Sequence, residues 1–193
     1  PVEIPFDSLA YVRTAPGRVV FWGGSPQAAS AIAQLDLDTH AVRTLRYSSE
    51  VEIDPGYLSV PPPVEFPTEN GQTAHAFFYP PQNKDYRAPT GEQPPLIVFS
   101  HGGPTGSSGS SFSLSIQYWT SRGFGILDVN YGGSTGYGRE YRQRLNGQWG
   151  IVDVDDCVNG AKYMVVQGLA DGERLAIRGG SAGGFTTLAA LTF

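Results

Sequence analysis

In the first third of the chain, apolar positions come in short runs separated by polar turns. Val19-Val20-Phe21-Trp22 runs into Gly23-Gly24 and predicts a strand. Residues 31–37 and 42–45 flank Asp38-Thr39-His40-Ala41, and Leu35, Leu37, Val42 and Leu45 nearly alternate with polar neighbours. That period predicts a half-buried hairpin. Short strands joined by tight turns suggest a β-sandwich or one blade of a β-propeller. At most four strands fit here, so residues 1–58 are expected to be the end of such a domain. Residues 54–67 then break the pattern, with Pro55, Pro61, Pro62, Pro63 and Pro67 crowded together. Proline has no amide donor and stiffens the chain, which predicts a linker or an edge crossover. Thr68-Glu69-Asn70-Gly71 brings an Asn-Gly pair suited to a hairpin turn, and residues 74–79 read as the return strand.

From Pro95 the period changes. Leu96-Ile97-Val98-Phe99 is continuously apolar, as expected of a strand covered on both faces. Phe112, Ile116 and Trp119 share one face of a predicted helix over 112–121, with Gly123 placed for a C-terminal cap. Residues 125–129 predict the next strand. A helix over 155–167 carries Cys157, Ala161, Met164 and Val165 on one side, and Gly168 follows it. Asp153, Asp155 and Asp156 lie near its N-terminus, where acidic residues complement the helix dipole and cap. Residues 175–178 predict a third strand, followed by glycines and a last helical run. This order predicts an α/β domain over 59–193, a mostly parallel sheet with helices on both faces.

Composition narrows the function. With 13 Lys+Arg against 18 Asp+Glu the net charge is −5, which argues against a nucleic-acid binder. No apolar run approaches the roughly 20 residues that span a bilayer, so no membrane partner is expected. The single cysteine, Cys157, excludes an intrachain disulfide framework and a Cys-rich zinc site. It fits a reducing, cytoplasmic setting, and its place on the apolar helix face makes it a core residue. The chain opens Pro1-Val2-Glu3-Ile4-Pro5, with no Met and no basic and apolar stretch of a signal peptide to be seen, though one could have been removed. It closes in an apolar helical run with no glycine cap or polar stop, so a fragment of a longer chain is expected.

The strongest chemical signal is Gly179-Gly180-Ser181-Ala182-Gly183-Gly184, a G-x-S-x-G between a predicted strand and a predicted helix. That context makes it a nucleophile elbow. A serine on so strained a turn needs small neighbours, which Gly179, Gly183 and Gly184 supply. The turn exposes the hydroxyl at a helix N-terminus, where negative charge can develop. Ser100-His101-Gly102-Gly103-Pro104 follows the first apolar strand, where an H-G-G motif supplies an oxyanion-hole amide. The Gly103 amide is preferred to that of Gly102, the Ala182 amide is the second donor, and His101 is read as ordering the loop. Residues 132–138 lack the lysine of a phosphate loop and read as a wall of the cleft. The Asp153, Asp155 and Asp156 spacing lacks the remaining ligands of a calcium loop, so no metal is expected.

These pieces together, with Asn130 to Gly138 and Trp149-Gly150 preceding Asp153 and Asp156, resemble the prolyl oligopeptidase family of serine peptidases. The likeness is strongest to its acylaminoacyl-peptidase and dipeptidyl-aminopeptidase-like branch. It implies the N-terminal portion of an α/β-hydrolase fold, cut after the elbow and preceded by the last strands of a β-propeller. It implies that Ser181 is acylated, that Ala182 and Gly103 amides form the oxyanion hole, and that the substrates are short peptides. It implies no cofactor and assigns no role to Arg178 or Tyr137. The runner-up is an esterase or amidase of the same fold acting on a non-peptide acyl group. One departure stands out. Hydrolases of this fold order the triad Ser, Asp, His. Only twelve residues follow Ser181, none of them Asp, Glu or His, and His40, His75 and His101 all precede it. The acid and base are therefore expected outside these residues, and the isolated chain is expected to be inactive.

Overall fold

Two β-sheets organise the chain, one on each side of the proline-rich stretch, in a computed structural model that describes residues 2–192. The first is an antiparallel meander of β1 (Ser8–Ala15), β2 (Arg18–Gly24), β3 (Ala31–Asp36) and β4 (Val42–Tyr47), paired in chain order. The β3–β4 hairpin forms where alternation predicts it, and Asp36 accepts the Thr39 N–H at 2.8 Å to hold its turn. β1 is the strand that alternation does not reveal. A register irregularity between Ala10 and Arg13, with Tyr11 at φ 52°, interrupts its two-residue period.

The second sheet contains β5 (Pro63–Pro67), β6 (Thr73–Tyr79), β7 (Leu96–Ser100), β8 (Gly125–Asn130) and β9 (Leu175–Gly179). Their spatial order is β5-β6-β8-β7-β9. β8, β7 and β9 are mutually parallel, whereas β5 and β6 join antiparallel. The expectation of a mostly parallel sheet is corrected here: the Asn-Gly turn folds the chain straight back, and only the strands joined through helices run parallel. The proline-rich stretch is corrected as well, because its last five residues form an edge strand. Pro63 and Pro67 sit at its ends, where a missing donor breaks little of the ladder.

Two crossovers place strands on opposite sides of β7. α1 (Leu114–Thr120) leads to β8 on one side of β7, and α3 (Val152–Val166) leads from β8 to β9 on the other. The helices therefore cover opposite faces. α3 lays Cys157, Ala161 and Met164 on Phe66, Leu127 and Val129. α1 lays Ile116 and Trp119 on Ile97, Ile126 and Tyr79. Leu96 and Val98 face α3 while Ile97 and Phe99 face α1, which is why β7 is apolar at successive positions. β9 differs: Leu175 and Ala176 are exposed, and its outer edge has no neighbouring strand among the described residues. A short α2 (Arg139–Gln143) lies in the glycine-rich connection after β8, and α4 (Ala182–Ala190) packs on β9 and α3.

Candidate active site

The parallel strands β7, β8 and β9 deliver three loops to one edge of the sheet. Ser100 is in register with both Val129 and Gly179, so His101, Asn130 and Gly180 leave from neighbouring positions. This edge lies where the crossovers diverge, the place where open α/β sheets form a crevice.

Ser181 occupies the turn from β9 into α4 with φ 55° and ψ −121°, a backbone region that costs a non-glycine residue free energy. Its side chain is presented to solvent at the helix N-terminus, and the residue is exposed. The backbone around it explains the glycines. A Cβ on Gly183 would lie 2.0 Å from the Ser100 carbonyl oxygen and 2.8 Å from that of His101. A Cβ on Gly179 would lie 2.3 Å from the Gly183 carbonyl oxygen. The elbow and the end of β7 therefore meet backbone to backbone. Gly184 is a correction to the requirement for small neighbours, since a Cβ there would meet nothing nearer than the Gly179 carbonyl oxygen at 3.6 Å.

The His101–Pro104 strap crosses the same space. A Cβ on Gly102 would sit 3.5 Å from Ser181 Cβ and 3.3 Å from the Gly180 carbonyl oxygen. Gly103 has φ 137°, and a Cβ on it would meet the Gly106 amide nitrogen at 2.5 Å, so no side chain fits. Neither the Gly103 nor the Ala182 N–H donates to an acceptor among the described residues, and the same holds for Gly102. The two amides singled out from sequence are thus open donors on the two backbone segments that meet at Ser181.

The loop after β8 clamps this strap. Tyr131 O–H lies 3.0 Å from the His101 carbonyl oxygen and 3.1 Å from that of Pro104, bracketing the glycine pair. The His101 ring stacks on Tyr131 at 4.3 Å, with Nε2 at 2.7 Å from Ser134 Oγ and Nδ1 at 2.8 Å from the Gly102 carbonyl oxygen. Burial pulls the His101 pKa below its ordinary value, against the raising effect of its bond to Gly102. Further along, Asn130 Oδ1 accepts the Ser108 N–H at 2.7 Å and Asp128 accepts the Ser108 hydroxyl at 2.6 Å. Burial pushes the Asp128 carboxyl up to about 6. Tyr137, left without a role from sequence, stacks on His75 at 4.3 Å and accepts from Asn130 Nδ2 at 3.0 Å. Arg178 lies over the Phe99 ring at 4.9 Å.

The aspartates correct the capping expectation. No side chain caps α3, whose N-cap position is Ile151. Asp153 instead accepts from the Gly150 N–H at 2.6 Å and from the Thr186 hydroxyl of α4. Asp156 accepts the Gly132 N–H at 2.6 Å and the Thr68 hydroxyl at 2.5 Å. Asp153 ties α4 to the loop before α3; Asp156 ties the glycine loop to the β5–β6 hairpin. Tyr131, Ser134, Asp128 and Asn130 were not singled out individually from sequence. The one signal for the last two is a polar residue at alternate positions of an otherwise apolar strand, Gly125-Ile126-Leu127-Asp128-Val129-Asn130.

No histidine or carboxylate of the described residues hydrogen-bonds to the Ser181 hydroxyl. His101 is turned onto Gly102 and Ser134, His75 onto Tyr137, and His40 sits beyond β3 in the meander.

The chain is similar to several known proteins. A sequence profile of the prolyl oligopeptidase family matches residues 110–193. The solved structure of a Mycobacterium tuberculosis puromycin-hydrolyzing peptidase is 46% identical and superposes with a TM-score of 0.97, covering 99% of this chain and 30% of its own. Dipeptidyl aminopeptidase BIII of Pseudoxanthomonas mexicana is 33% identical over 68% of this chain and 19% of its own length. An acylamino-acid-releasing enzyme of Arabidopsis thaliana is 43% identical over 50% of this chain and 13% of its own length. The chain therefore spans less than a third of the length of these relatives.

Proposed function

Residues 110–193 belong to the prolyl oligopeptidase family, and from that premise we propose that this chain carries the nucleophile and oxyanion half of a serine peptidase acting on short peptides. The observation that carries the reading is the contact between the Ser181 elbow and the His101–Gly103 strap, glycine against backbone on both sides. In this reading Ser181 Oγ attacks the scissile carbonyl carbon and passes its proton to a base. The carbonyl oxygen becomes an oxyanion held by the Gly103 and Ala182 amides. Collapse expels the amine with that proton and leaves an acyl ester on Ser181, which water then cleaves. The base and its acid partner come from sequence beyond these residues, since none of the three histidines faces Ser181. Residues 59–193 then form the first part of an α/β-hydrolase domain, and residues 1–58 the last blade and crossover of a β-propeller. The four-stranded meander has the form of one blade. The isolated chain, lacking a base, is inactive in this account. The relative named for hydrolysing puromycin makes that aminoacyl amide a natural first substrate beside short peptides.

The test is fluorophosphonate labelling of the protein expressed from its complete gene, with Ser181→Ala beside it. Labelling of the wild type and none of the variant is the expected result. Equal labelling of both would remove Ser181 from the mechanism. Labelling of the isolated 193-residue chain would show that Ser181 is activated without the outside base.

A further inference from the structure

We infer that the antiparallel meander takes part in the chemistry itself, because its Gly24–Ser25 corner holds the loop that continues the oxyanion strap. On the serine-peptidase reading above, Gly24 and Ser25 are positioning residues. Residues 105–112 run on from the strap toward α1 and meet the meander on the way. The Phe112 N–H donates to the Ser25 carbonyl at 2.7 Å. A Cβ on Gly24 would lie 2.3 Å from Ser111 Oγ and 3.1 Å from Ser111 Cβ, so the loop rests on bare backbone. Ser8, the register partner of Gly24, is the nearest neighbour of Gly109, whose Cβ would lie 3.8 Å from Ser8 Oγ. The first residue of β1 and the last of β2 therefore meet the loop together.

The missing side chain of Gly24 answers this approach. Gly24 pairs regularly with Ser8, and its φ lies outside the positive region, so its conformation suits any residue. What excludes a side chain is Ser111, together with the Trp22 ring, whose Cη2 would lie 2.8 Å from that Cβ.

Two backbone fixings set the course of the loop. One is the Thr135 N–H, which donates to the Gly106 carbonyl at 2.9 Å; the other is the Ser25 carbonyl on Phe112. Between them no backbone–backbone hydrogen bond holds the loop among the described residues. Ser108, midway, is held by side chains. Asn130 accepts its N–H at 2.7 Å and donates to its carbonyl at 3.0 Å, and Asp128 accepts its hydroxyl at 2.6 Å. Such side chains can follow a shifted loop by changing rotamer.

Gly106 touches the strap directly. A Cβ on it would lie 2.8 Å from the Gly102 carbonyl oxygen, and a Cβ on Gly103 would lie 2.5 Å from the Gly106 nitrogen. Close packing transmits displacement. A loop pushed off the meander at Ser111 and Phe112 thus moves Gly106 against the Gly102–Gly103 peptide and turns the Gly103 N–H away from its aim. This action falls on the oxyanion donor, and it is separate from any restriction of peptide entry.

Three substitutions test it in the protein expressed from its complete gene, with thermal unfolding checked. Gly24→Val presses a branched side chain on Ser111. Ser111→Gly in the same chain makes room again. Gly17→Ala strains the turn at the opposite end of the β1–β2 pair, where φ is 72° and no loop residue lies within 4 Å of the added Cβ. The readouts are the rate of fluorophosphonate labelling and kcat and KM on p-nitrophenyl acetate, probes small enough to make peptide entry irrelevant. Gly24→Val is expected to lose about 10- to 100-fold, approaching a lost oxyanion donor, in kcat with KM little changed. Adding Ser111→Gly is expected to restore the rate to within about threefold of wild type, and Gly17→Ala to stay there. A wild-type rate in Gly24→Val overturns the inference, as does an equal loss with Ser111→Gly present or in Gly17→Ala. A loss confined to peptide substrates assigns the meander to entry and overturns it too. If Gly24→Val fails to fold, Gly24→Ala with and without Ser111→Gly decides in its place. Failure of the wild type itself to label marks the failure of the serine-peptidase reading, and the positioning role falls with it.

Discussion

The two sheets reach order by different means. Among the described residues no helix packs on the meander of residues 8–47; Leu9, Tyr11, Val12, Leu45 and Tyr47 are all exposed, and only a few small or aromatic side chains are buried. Its strands are held mainly by their ladders. The five-stranded sheet is packed on both faces, and every residue of β8 is buried. The strained backbone at Ser181 sits in the second region. A conformation that costs free energy persists only where its surroundings over-determine it, and the Gly179, Gly183 and Ser100 backbone contacts do so here. The lesson is that the candidate site lies where backbone is packed against backbone, beyond where side chains merely cover a sheet.

The sharpest way to break this comparison is Gly183→Ala. Its methyl would overlap the Ser100 carbonyl oxygen, so a loss of about 3 kcal/mol or more is expected in denaturant melts, with loss of labelling at Ser181. Next, Leu127→Ala in the doubly covered sheet should cost about 2–5 kcal/mol, whereas Leu9→Ala in the meander should change stability by no more than about 0.5 kcal/mol. Similar losses would show that both sheets are equally core-dependent.

Asp128 gives a pH test of the packed sheet. Burial raises its carboxyl to about 6, above its unfolded value, so the folded state prefers the protonated form. Its contribution is fully present below the unfolded pKa near 3.9 and is lost as pH rises through about 6. Asp128→Asn should therefore gain on the wild type by about 2–3 kcal/mol between pH 4 and pH 7.5, read from urea midpoints at each pH. A constant difference would mean that the carboxyl titrates normally. A small effect of opposite sign belongs to Gly184→Ala, which meets only ordinary contacts inside α4 and should stabilise by about 0.5–1 kcal/mol. Its contrast with Gly183→Ala, one residue away, isolates close approach from helix propensity.

Much of the second sheet was legible from periodicity, because strands buried on both faces and amphipathic helices leave strong one-dimensional signatures. Each of β7, β8 and β9 begins at the residue that the apolar runs indicated. β1 and α2 were not legible, since a bulge breaks the period of one and the other is a single short turn. β5 was hidden by its prolines, which an edge strand tolerates and a central strand does not.

For the candidate site, sequence alone determined the residue types: a serine between glycines at a strand-to-helix turn, a His-Gly-Gly strap after another strand, and no histidine following the serine. Those are local constraints, written in the small side chains that a tight turn demands. Tertiary structure decided which loops meet and how each peptide is aimed. Strand order set β7 beside β9, so that Gly183 and Ser100 touch. It turned His101 onto Gly102 and Ser134, and sent Asp153 and Asp156 to Thr186 and Gly132 in place of the helix cap. Hydrogen-bond partners far apart in the chain are chosen by packing, and no local pattern of hydrophobic and polar residues encodes that choice.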